Sequence, residues 1–164
     1  MKQMDLTSDA QVMDALSSGP LKEGIRDLMD EISQDLYNIV MNDIYASGGS
    51  EAYDRTYEIA SSVMRGDENP VTGGGGTATG ETGMNPNLIS ASNGGDGMFN
   101  HHMSFNGESA ASAIIPWFEG ELGNSSPYFH GAVHMLKQAY MNGQSKIKPC
   151  LARAFAAAGM KLTG

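Results

Sequence analysis

The chain has 164 residues, a formal net charge of −9 and a single cysteine. That length suffices for one domain with a core, and one cysteine excludes an internal disulfide. The acidity argues against a free nucleic-acid reader, which needs clustered Lys and Arg to meet phosphate.

The charge is unevenly spread. Residues 1–60 carry 12 acidic and 4 basic side chains, whereas from Gly123 onward there are 5 basic residues (Lys137, Lys146, Lys148, Arg153, Lys161) and no acidic one. Two arrangements satisfy this asymmetry. An acidic helix of one subunit can meet the basic tail of the next across an interface, or the two ends can neutralise each other within one chain.

Thr7 to Leu16 reads as a short helix with Thr7 or Ser8 as N-cap and Asp9 in its first turn. Ser17-Ser18-Gly19 breaks it, and Pro20 restarts the chain at a first-turn position where its missing N–H costs nothing. The first 19 residues therefore read as an added arm, and residues 20–164 as a single α+β domain. Leu21, Ile25, Leu28, Met29, Ile32, Leu36, Ile39, Val40 and Ile44 then recur at three- and four-residue steps, with Asp27, Asp30, Glu31, Asp35 and Asn38 on the other face. This is an amphipathic helix ending near Ala46, about 38 Å long at 1.5 Å per residue. Its oily stripe requires a partner surface.

Ser50 to Val63 suggests a helical turn passing into a strand. Of the 21 glycines, 11 fall between Gly66 and Gly107, four of them consecutive at Gly73 to Gly76. Residues 66–83 therefore read as a loop with little to pack and much entropy to lose. A phosphate-binding loop would need Gly-Lys-Ser/Thr after the glycines and an apolar strand before them, and both are missing. Asn87 to Ala91 and Gly97 to Phe105 suggest two strands joined by Asn93-Gly94-Gly95. Glu108 to Leu122 returns to helical spacing despite Pro116. Tyr128 to Met141 and Lys146 to Gly159 read as two further helices, the last with Gly159 as C-cap. Cys150, between Pro149 and Leu151, reads as a small buried hydrophobe.

Few residues are arranged for chemistry. His130 and His134 are spaced to share one helix face, as in zinc hydrolases, and one of His101 and His102 could add a ligand. However, Gly131 and Ala132 stand where such enzymes carry a glutamate, so packing or surface histidines are the competing reading. Glu119 and Glu121 beside Trp117 could be an acid–base pair, but nothing around them suggests a cleft. The 12 methionines are spread along every element, and they suit adaptable contact surfaces and core filling equally. No cofactor and no catalytic set is expected. No apolar run approaches the length of a bilayer span, and the polar N-terminus offers no signal-peptide core.

Taken in order, these pieces resemble the tail-completion (head–tail connector, or neck) proteins of long-tailed bacteriophages. After the long amphipathic helix, that family has an aromatic-x-Arg-Thr segment running into a strand. It is similar to Tyr53-Asp54-Arg55-Thr56-Tyr57-Glu58-Ile59-Ala60-Ser61-Ser62-Val63 here. A glycine-rich β region follows, then a helix ending like Trp117-Phe118-Glu119-Gly120-Glu121-Leu122-Gly123, then Pro127-Tyr128-Phe129 and a cationic C-terminal helix. The resemblance implies an α+β fold: a long N-terminal amphipathic helix packed on a small antiparallel sheet, with further helices toward the C-terminus. It implies a non-enzymatic virion protein, assembled in the host cytoplasm into a ring, expected as a hexamer, in the phage neck. Its partners would be copies of itself, the head–tail adaptor, and the tail tube or tail terminator, with DNA passing through an acidic channel. A tail terminator or another virion assembly protein is the neighbouring alternative, and a metal-dependent hydrolase the alternative of another class. The interface residues implied by charge and motif are Asp27, Glu31, Asp35, Tyr53, Arg55, Thr56, Trp117, Phe118, Lys146, Lys148 and Arg153.

Overall fold

The computed structural model describes residues 8–46, 57–88, 115, 119 and 133–161. It has α+β architecture. The chain divides into two compact units: Met1–Ser33, Arg65–Thr82 and Met141–Gly164 form one, and Gln34–Met64 with Gly83–Tyr140 the other.

The first unit begins with helix α1, Asp9–Ser18. Ser8 caps it, its Oγ accepting the Gln11 N–H at 3.3 Å. Gly19 closes α1 by donating to the Ala15 carbonyl, and Pro20 opens helix α2, Pro20–Ile39. The break expected at residues 17–19 thus occurs within one residue of its place, because Gly19 and Pro20 together cannot continue a regular helix.

The glycine-rich stretch is the sheet. Strands β1, Val71–Gly74, and β2, Thr77–Gly80, pair antiparallel with Gly74 opposite Thr77, leaving Gly75 and Gly76 as a two-residue turn. Their φ values of 59° and 88° suit a type I′ turn, a backbone that glycine adopts without strain. The expected loop over 66–83 is corrected here. The glycines acquire packing partners because the hairpin lies on α1. A Cβ at Gly73 would overlap the Ser17 carbonyl oxygen, and one at Gly80 would stand 2.7 Å from Ile25 Cγ2. The turn is also held by side chains: Gly75 N–H donates to Asp14 Oδ1 at 2.8 Å, and Gly76 N–H to Ser17 Oγ at 3.0 Å.

The two helices expected at 128–141 and 146–159 are joined into one, α4, Met135–Ala157, running through Gly143 and Pro149; residues 128–132 lie outside the described residues. From Met141 onward it packs on the part of α2 before Ser33. Gly24 faces Leu151 and Gly143 faces Ile32, so the helices run in opposite directions. A Cβ at Gly143 would stand 2.5 Å from Ile32 Cγ1, and one at Gly24 2.7 Å from Leu151 Cδ2. Gly143 is therefore a slot for Ile32 rather than a helix end, and tertiary packing overrides its low helix propensity. Leu28, Met29 and Cys150 are buried together, flanked by Ile25, Ile32 and Val71. The C-terminus of α4 closes as a Schellman motif: Gly159, at φ 77°, donates to the Ala156 carbonyl and Met160 to that of Phe155. A buried polar network crosses this unit. Ser33 Oγ lies 2.7 Å from Thr82 Oγ1 and accepts from Asn69 Nδ2 at 3.0 Å.

In the second unit, α2 loosens into a π-helical turn, Val40–Tyr45, which Ala46 closes by donating to the Met41 carbonyl. Helix α3, Glu58–Ser61, is a single turn packed against it. Beyond α3, Val63 forms an isolated antiparallel bridge with Met84, and Met64 N–H donates to the Gly83 carbonyl. Of the turn-then-strand expected over 50–63, residues 50–56 lie outside the described residues, and the described part is this single turn and bridge. Pro86–Leu88 forms a 3₁₀ turn, so Asn87 and Leu88 do not begin a strand. The rest of the expected 87–105 hairpin and the 108–122 helix, apart from residues 115 and 119, lies outside the described residues. Leu36, Val40, Ile59, Ala60, Val63, Met135 and Ala139 are buried, and Tyr45 and Tyr57 stack with ring centroids 4.7 Å apart.

Candidate functional site

Asp27 and Glu31 lie one turn apart on α2, and Lys146, Cys150 and Arg153 follow one line of α4. Antiparallel packing sets these lines against each other. Arg153 Nη2 reaches Glu31 Oε1 at 2.5 Å, Arg153 Nε lies 3.7 Å from Asp27 Oδ2, and Lys146 Nζ lies 3.7 Å from Glu31 Oε2. The acidic helix and the basic tail therefore meet within one chain. Of the two arrangements open from the charge pattern, the intrachain one accounts for Asp27, Glu31, Lys146 and Arg153.

Cys150 sits inside this clasp, fully buried, with Sγ 3.6 Å from Glu31 Oε1 and 3.3 Å from Arg153 Nη2. The hydrogen bond from Arg153 holds the Glu31 carboxyl below its ordinary range, outweighing the opposing effect of burial. Burial pushes the Cys150 thiol up, and the Glu31 charge adds to that. The thiol stays protonated at neutral pH and is a poor nucleophile or metal ligand. The cluster holds helices together; it is not built for chemistry.

The other residues singled out from the sequence fall elsewhere. Asp35 is half-buried on α2, and Lys148 is exposed on the far side of α4 from the clasp. Tyr53, Arg55, Thr56, Trp117, Phe118, His101, His102 and His130 lie outside the described residues. His134 is exposed, with φ 52°, immediately before α4. Glu119 has a structural role: its carboxylate accepts the Leu136 N–H at 2.7 Å, placing a negative charge at the positive end of the α4 dipole. Among the described residues, no group of three or more His, Cys, Asp or Glu side chains is placed to hold a metal.

Sequence reasoning missed the helix slots at Gly24 and Gly143 and the grip of Asp14 and Ser17 on the hairpin turn. An isolated glycine in a helical pattern was the available signal for the slots.

Comparisons with models of known protein families, with characterised proteins and with solved structures find no match to this chain. Among the described residues, no helix is long and apolar enough to cross a membrane.

Proposed function

We propose that this chain is a structural subunit that assembles with copies of itself into a ring, and that the ring is the neck of a long-tailed phage. One observation carries the assembly: large apolar side chains stand open on its helices. Met13 is 50% exposed, Tyr140 63% and Met141 60%. Contact with a neighbouring subunit would cover these side chains, which supports the assembly reading.

The identity of the assembly rests on the resemblance of the Tyr53–Val63 and Trp117–Gly123 segments. The short turn of α3 followed by the Val63 bridge is compatible with the first of them. The net charge of −9 suits the wall of a DNA channel, because like charge repels phosphate and lets DNA slide. The head-side adaptor and the tail tube or terminator are the partners on this reading. Particle-averaged imaging of assembled necks with the chain labelled tests it: density at the head–tail junction is expected, and label confined to capsid or tail tip would overturn it.

A further inference from the structure

We draw no further inference here: the strongest candidate, the exposed apolar surface of helix α1 at Val12 and Met13, carries nothing because nothing in the structure shows what covers it.

Discussion

Glu31 concentrates the electrostatics of the first unit. Its carboxylate meets Arg153 and Lys146 from a half-exposed position, so these ion pairs contribute the small stabilisation of solvent-screened pairs rather than the larger one of a buried pair. Glu31→Gln should therefore lower the urea midpoint by that modest amount at pH 7, and the difference should shrink in 1 M salt. The sign of the pH dependence follows from the depressed acidity of the group. The stabilisation is fully present above the ordinary glutamate value of 4.5 and is lost as pH falls through the lower folded value. Urea titrations at pH 7 and pH 3 should show wild type and Glu31→Gln converging in acid. Wild type remaining more stable by the same margin at pH 3 would show that the charge is not what Glu31 contributes. Cys150, held protonated by burial, should react with a thiol reagent only on unfolding.

Two kinds of glycine decide the elements. Within helices, Gly24 and Gly143 admit a residue of the facing helix, but not equally. A Cβ at Gly143 meets Ile32 Cγ1 and Cδ1 at 2.5 and 2.6 Å, whereas one at Gly24 also stands 3.1 Å from the Leu151 Cα. Gly143→Ala should destabilise by less than Gly24→Ala, because Ile32 must turn about a stiff β-branched χ1 but the backbone need not move, and the gain in helix propensity offsets part of that cost. Gly24→Ala should destabilise by about 1–3 kcal/mol, since backbone must move. Thermal denaturation of both variants checks that order. In the hairpin, Gly73→Ala would press on the Ser17 carbonyl and lift β1 from α1. Faster hydrogen exchange at the Gly75 and Gly76 amides, with exchange in α4 unchanged, is the expected result. These features explain what the sequence did and did not disclose. The stripe from Leu21 to Ile44 is local and periodic, so α2 was legible, as were the Ser8 cap and the Gly159 stop. The hairpin at 71–80 was not, because glycine and threonine carry no apolar alternation. What makes it a sheet is a surface supplied by α1, some 60 residues earlier in the chain. The continuity of α4 was hidden for the same reason: Gly143 reads locally as a break, and only Ile32 makes it a slot.

For the molecule as a whole, part of the charge asymmetry visible in the sequence is satisfied inside the chain, where Asp27 and Glu31 meet Arg153 and Lys146. Among the described residues, Val12 on α1 and Met141 and Ile147 on α4 are exposed apolar side chains outside that clasp. The clasp was legible only as one of two options, since composition fixes the sum of charges and not whether partners belong to one chain. On the proposed ring reading the subunit gains stability from its neighbours, so its thermal midpoint should rise with protein concentration. The central claim, that this chain works as a member of a closed ring, is tested most directly by mass photometry of the purified protein. A single dominant species at a fixed multiple of the 17.4 kDa chain is expected, independent of concentration over the assembled range. A monomer at every concentration, or an open ladder of sizes without a preferred closure, would contradict it.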